Sequence, residues 1–304
     1  MYFMKQLSLI LVISYLLPQM AAGQVNDAGF NIYIFSAYYS KNVCDYLLSN
    51  NAKEAHLLTQ SVIDPNKDQE VDEGSIKRYT EKFYPDADAT GLFIIDWEAK
   101  PYNDLKNDKN DPRFQAAMAK YVQVIDAVKT FRPKVRVGIY GLPFRFFGNS
   151  GKTEDAANLD ALLSHCDVIT PSFYIVYTDE QVGAPKNMDY LKDNLDQALR
   201  SGQRLNKPVI PFFWYKVHPG NKTFGMTVLS KDKMQRYLDL LTQYSYQGKK
   251  INGLLWWEGG PVSSGTPGND RNQARAFSTT PGSGGSDRDS IIVNYLKPFI
   301  KKDN

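Results

Sequence analysis

Seven short β-rich runs, set apart by helix-length intervals, constrain this chain more than any other feature. They occupy residues 31–35, 56–63, 91–96, 135–140, 168–173, 209–214 and 253–257. The clearest helical interval is 112–131, where Phe114, Ala117, Met118, Tyr121, Val122, Ile125 and Val128 recur every three or four residues and share one face. Asp111 is placed to cap that helix, and Pro112 suits its first position, where no backbone donor is required. Further helices fit 154–164, 188–205 and 232–246. Residues 278–290 are rich in Gly, Ser and Pro and read as a loop before a last helix over 291–300. Strand–helix alternation implies parallel strands, because each crossover must return the chain to the same edge. No glycine-rich nucleotide fingerprint accompanies it. The pattern therefore favours a TIM-like (β/α) barrel, distorted and lined by seven strands, over an open doubly wound sheet. A single domain over 24–304 is expected.

The first 23 residues read differently. Lys5 precedes the apolar run 7–17, then Pro18 and the small residues Ala21-Ala22-Gly23. That is the layout of a secretory signal cut before Gln24, which would send the mature chain to the periplasm or outside the cell. The apolar run falls short of the roughly 20 residues a membrane span requires, and no later stretch is apolar enough to span a bilayer. The segment carries one Lys and no acid, so its removal leaves a nearly neutral protein from a formal +3. Such a balance does not announce a nucleic-acid partner. No His/Cys/Asp cluster has metal-ligand spacing, so neither a metal nor another cofactor is expected. The two cysteines, Cys44 and Cys166, are free to pair or to stay apart.

The most informative stretch is Gly91 to Glu98, where five apolar or small residues end abruptly at Asp96-Trp97-Glu98. A continuous apolar run suits a strand buried on both faces. In a strand, residues i and i+2 point to one side, so Asp96 and Glu98 should project together while Trp97 faces away. In a βα barrel the C-terminal strand ends form the reactive face. Two carboxylates held there repel, which raises the proton affinity of one and supplies a general acid. The alternative is that they cap the next helix or bind Arg at the rim. Three other strand ends deliver aromatics to the same face: Pro171-Ser172-Phe173-Tyr174, Phe213-Trp214-Tyr215-Lys216 and Trp256-Trp257-Glu258. Singly each suits packing; together they describe a pocket of acids, hydroxyls and stacking walls, as a sugar requires.

In order along the chain, these motifs resemble the hyaluronidase family, glycoside hydrolase family 56. Phe30-Asn31-Ile32-Tyr33 is similar to that family's first strand, Asp64-Pro65 to its second-strand end, and Ile95-Asp96-Trp97-Glu98 with Lys100-Pro101 to its catalytic signature. Phe131-Arg132-Pro133, Gly138-Ile139-Tyr140, Pro171-Ser172-Phe173-Tyr174, Pro211 with Trp214-Tyr215-Lys216, and Tyr295-Leu296-Lys297-Pro298-Phe299-Ile300 follow suit. The resemblance implies a retaining, substrate-assisted mechanism on an N-acetylhexosaminide polysaccharide. Glu98 would be acid and then base, and Asp96 would orient the acetamido group. Tyr174 and Tyr215 would hold that group, and Trp257 would wall the pocket, with Trp256, Tyr140, Asp64 and Lys216 lining it. The chain departs from the family in three ways. No Cys follows Cys166, so the closing disulfide and the cysteine-rich module have no counterpart. Glu258 stands where the family has Gly, and Trp256 adds a second indole.

Three readings follow. The first is an enzyme acting on hyaluronan or chondroitin-type chains, with Lys100, Arg145, Lys152 and Lys216 supplying local charge. The second is a chitinase-like hexosaminidase, whose signature carries more acids along the strand than the apolar 93–95 allows. The third is a carbohydrate-binding barrel without activity. The Asn221-Lys222-Thr223 sequon matters only in a eukaryotic host.

Overall fold

A computed structural model describes residues 29–148, 156–258 and 285–300. The expected signal segment, Lys152 and most of the Gly/Ser-rich stretch lie outside these residues. The strands are β1 (Asn31–Ile34), β2 (Lys53–Glu54), β3 (His56–Thr59), β4 (Gly91–Asp96), β5 (Val135–Ile139), β6 (Phe212–Phe213) and β7 (Gly253–Trp256). The helices are α1 (Lys41–Leu48), α2 (Gln60–Ile63), α3 (Glu73–Phe83), α4 (Lys100–Asp104), α5 (Pro112–Phe131), α6 (Asp160–His165), α7 (Asp179–Val182), α8 (Ala184–Arg204), α9 (Lys231–Gln243) and α10 (Gly285–Leu296).

All ladder pairings are parallel, in the orders β2-β1-β7-β6 and β3-β4-β5. Both gaps between these sheets are bridged. Residues 53–59 form one run that leaves β1 for β4, with the Ala55 N–H donating to the Ile34 carbonyl at 2.9 Å between β2 and β3. On the far side, segment 168–173 connects β5 to β6 through the parallel bridges Tyr140–Thr170, Ile169–Val209 and Ser172–Phe212. The result is a closed barrel of seven strand segments. Of the seven expected strands, 168–173 appears only as bridges and 209–214 shortens to β6, because Pro171, Pro208 and Pro211 interrupt them. Each proline accepts a bond from Phe212, Ile169 or Leu255, yet none can donate one.

Period-two alternation divides the barrel wall. Leu92 and Ile94 of β4 join Tyr33, Phe212 and Leu255 in the lumen cluster, whereas Phe93, Ile95 and Trp97 pack outward with Tyr121, Ile125 and Val128 of α5. Inside the lumen the Arg136 guanidinium crosses from β5 to the Tyr33 hydroxyl on β1. Helix α5 has the expected bounds, and its Asp111 carboxylate accepts from the Arg113 N–H at 2.8 Å. Other expectations need correcting. The second strand stops at Thr59, because residues 60–63 coil into α2 and the chain then folds around Asp64. The last helix starts at Gly285, inside the stretch expected as a loop, and ends at Leu296. Helices α1 and α3 fill strand-to-strand intervals in which no helix was delimited from sequence. Each is set by a cap, Ser40 accepting from Val43 and Asp72 from Ser75. Cys44 and Cys166 are both free thiols, the second fully buried and pushed up to about 12. No described helix is long and apolar enough to cross a membrane.

The β1–β7 seam closes the ring, and Gly253 makes it possible. A Cβ there would lie 2.1 Å from the Asn31 carbonyl oxygen, a backbone atom with nowhere to go. Gly253→Ala is expected to destabilise the fold by about 2–4 kcal/mol, measured by urea unfolding. An unchanged midpoint would mean that the seam is not held this tightly.

Candidate active site

The end of β4 is fixed from outside. Trp97 is 1% exposed and packs on Tyr121, with ring centroids 5.7 Å apart, while the Tyr121 hydroxyl donates to the Trp97 carbonyl at 2.8 Å. With Trp97 locked outward, alternation turns Asp96 and Glu98 to the opposite side, at the C-terminal mouth of the barrel. Asp96 is half-buried and Glu98 is open to solvent. Both sit close enough to Tyr102 and Tyr140 to raise the phenols' affinity for their protons. Asp96 acts likewise on Tyr38 and Tyr174. Two acids therefore share a ring of four tyrosines contributed by the segments that follow β1, β4, β5 and 168–173.

Several packing details hold that ring. Gly141, at φ +74°, lets the Tyr102 hydroxyl approach the backbone just past β5, since a Cβ there would lie 2.4 Å from it. The Tyr174 carbonyl accepts from the Tyr190 hydroxyl of α8 at 2.9 Å, and its ring meets Tyr140 at 6.3 Å and Trp214 at 6.0 Å. Arg145 closes one side. Its Nη1 donates to Ser172 Oγ at 2.6 Å, its Nη2 lies 2.9 Å from His218 Nε2, and its guanidinium covers the Tyr174 ring. Burial, with Arg145 adding to it, pushes His218 down to about 4, so this imidazole is neutral at ordinary pH. Opposite stands Trp257, against Tyr38 at 5.2 Å and Phe35 at 5.8 Å.

Glu98 has the electrostatics of a proton donor. Although Glu98 reaches solvent, protein packed around it thins the hydration of its carboxylate and raises its pKa, while Arg145 and Lys106 oppose the shift. A carboxyl group in that state is protonated further up the pH scale than a free one, as general acid catalysis requires.

Of the residues singled out from sequence, the structure brings Asp96, Glu98, Tyr140, Tyr174 and Trp257 to one mouth. It takes four others elsewhere. The Asp64 carboxylate is 1% exposed and is occupied by the N–H groups of Asp68 and Gln69, so it organises its own loop. Tyr215 and Trp256 stack at 6.3 Å on the outer face of the wall, beneath Tyr295 of α10. Lys216 Nζ lies over the Trp214 and Tyr215 rings and 3.9 Å from Glu258. The reason is the same alternation that serves β4: Phe212 and Trp214 face inward, so Tyr215 faces out. Applied to that strand, period two would have selected Trp214 instead. Ser172, two residues before Tyr174, carried the same signal. Tyr38, Tyr102 and His218 lie in connecting segments and left no periodic trace. Two surface depressions, of about 330 Å³ between α8 and α9 and 420 Å³ between α3 and α5, lie on the outer helices and touch neither acid.

No protein-family model matches the chain, and no curated protein sequence matches it. Solved structures do. Bee venom hyaluronidase in complex with a hyaluronic acid tetramer is similar at 17% identity, over 75% of this chain and 90% of that one, with a TM-score of 0.55. A second structure of bee venom hyaluronidase matches at 16% identity over 88% of this chain and 97% of that one, with a TM-score of 0.58. The fold is that of a hyaluronidase barrel.

Replacing Arg145 with Met removes a cation that lowers the Glu98 pKa, so that pKa is expected to rise. Carboxyl carbon NMR titration of Glu98 in both proteins reads this directly. A Glu98 titration that stays in place or moves down would show that Arg145 does not act on this acid.

Proposed function

We propose that the chain is an exported glycoside hydrolase that cleaves N-acetylhexosaminide linkages in glycosaminoglycan-type chains such as hyaluronan or chondroitin. The observation that carries this reading is the acid pair itself: Asp96 at the end of β4 and Glu98 in the turn after it, both close to Tyr102 and Tyr140 at the mouth of a hyaluronidase-like barrel. Carboxylates placed i and i+2 cannot flank a sugar from opposite faces, so neither is positioned as nucleophile against the other as acid. A substrate-assisted route fits that arrangement, outside the usual two-carboxylate scheme.

In this mechanism the protonated Glu98 gives its proton to the glycosidic oxygen. The carbonyl oxygen of the substrate's own acetamido group attacks the anomeric carbon as the glycosidic bond breaks, and the leaving chain departs as an alcohol. Asp96 holds the acetamido N–H and stabilises the positive charge of the cyclic intermediate. Tyr174, supported by Tyr140, donates its hydroxyl towards the same group. Glu98, now a carboxylate, takes a proton from water, which opens the ring at the anomeric carbon and restores the original configuration. Trp257 and Tyr38 offer apolar faces for the sugar ring. The local charge supports an anionic polymer over chitin, because Arg145 and Lys106 set two cations beside Glu98 although the chain as a whole is near neutral. Export would follow from the segment 1–23.

The test is reducing-end release from hyaluronan, chondroitin and chitin oligosaccharides by the native chain, Glu98→Gln and Asp96→Asn. Each substitution is expected to lower kcat by at least about a hundredfold, in the range typical of lost acid–base catalysis. Cleavage of chitin alone would replace the substrate class. Binding without any cleavage would replace the enzyme with a carbohydrate-binding barrel.

A further inference from the structure

Glu258 is completely buried and follows Trp257 directly at the end of β7. A carboxylate at that depth persists only beside cations or strong donors. Arg288 of α10 supplies the nearest charge, its Nε 3.2 Å from Glu258 Oε1. Lys216 stands at 3.9 Å, and Tyr39 and Tyr215 lie close enough for the carboxylate to act on both phenols. None of these groups belongs to the tyrosine ring around Asp96 and Glu98.

Arg288 nonetheless reaches the mouth by its other end. Its Nη2 donates to the Tyr38 carbonyl at 2.6 Å. Next to that bond, the Tyr39 hydroxyl donates to the Trp256 carbonyl at 2.9 Å, and Ser40 Oγ bonds Asp289 at 2.7 Å. The turn carrying Tyr38 and the strand end carrying Trp257 are thus stitched together from behind, and their rings meet in front at 5.2 Å. We propose that Arg288, anchored on the buried Glu258, is a positioning residue that holds the Tyr38 backbone so that Tyr38 and Trp257 form one sugar-stacking wall beside Asp96. The term sugar rests on the glycosidase reading; the positioning itself does not.

The experiment uses the full chain labelled with 5-fluorotryptophan, in which Trp257→Phe identifies the Trp257 line. Arg288→Ala is expected to shift or broaden that line and leave those of Trp97 and Trp214 in place. Glu258→Gln, which keeps shape and removes charge, should do the same and serves if Arg288→Ala does not fold. On the polymer the native chain cleaves, both variants should raise KM about tenfold with kcat within a factor of two, the signature of lost uniform binding. An unmoved Trp257 line in either folded variant would overturn the proposal. So would movement of all the tryptophan lines together, which means general loosening, or a shifted line with unchanged KM. A shifted Trp257 line in a chain that neither binds nor cleaves any of these polysaccharides would sustain the positioning role and sink the glycosidase reading instead.

Discussion

Everything at the barrel mouth depends on which way Trp97 points. Its indole is packed outward on Tyr121, and the Tyr121 hydroxyl bonds its carbonyl, so the last turn of β4 cannot roll. A one-residue slip would carry Asp96 and Glu98 into the helical layer and put Trp97 in the mouth. The cost of burying two carboxylates against Tyr121, Ile125 and Val128 of α5 makes that slip prohibitive. One outward aromatic thus sets two inward acids, and helix α5 becomes part of the chemistry without touching it.

The same rule explains what could be read from the sequence and what could not. Strand β4, helix α5 and the acid pair were legible because long apolar runs and three- to four-residue periodicity leave an unambiguous trace. The order of seven strands followed from their alternation with helices. The strands around Pro171, Pro208 and Pro211 were legible as positions, but the first forms only bridges and the second shortens to the two residues of β6, since a proline cannot donate to a ladder. Tyr215 and Trp256 were drawn to the site by resemblance, against the alternation of their own strands, and the structure follows the alternation. Asp64 was misjudged for a different reason: a carboxylate that caps its own loop has the same spelling as one that meets a ligand. Arg145 was visible only as a charge, because its partners Ser172 and His218 come from distant loops.

The mouth also divides into two electrostatic regions kept apart by the barrel wall. In front, partial desolvation raises Glu98 although it reaches solvent, and Arg145 and Lys106 restrain the shift. Behind, burial raises Glu258 in the same way, and Arg288 and Lys216 hold it back. The front acid is open to solvent and suited to exchange a proton. The rear acid is sealed under Tyr215 and α10, which suits it to hold charge and position rather than to react. Aromatic rings line both sides, so composition alone could not separate the set facing the mouth from the packing set.

The proposed mechanism requires the substrate's acetamido group to do the work that a second enzyme carboxylate does elsewhere. The direct measurement is proton NMR of the anomer first released from hyaluronan oligosaccharides, alongside the same oligosaccharides with the reacting sugar de-N-acetylated. Release of the β-anomer first, together with loss of cleavage on deacetylation, is the predicted result. Release of the α-anomer first, or equal cleavage without the acetyl group, would contradict it.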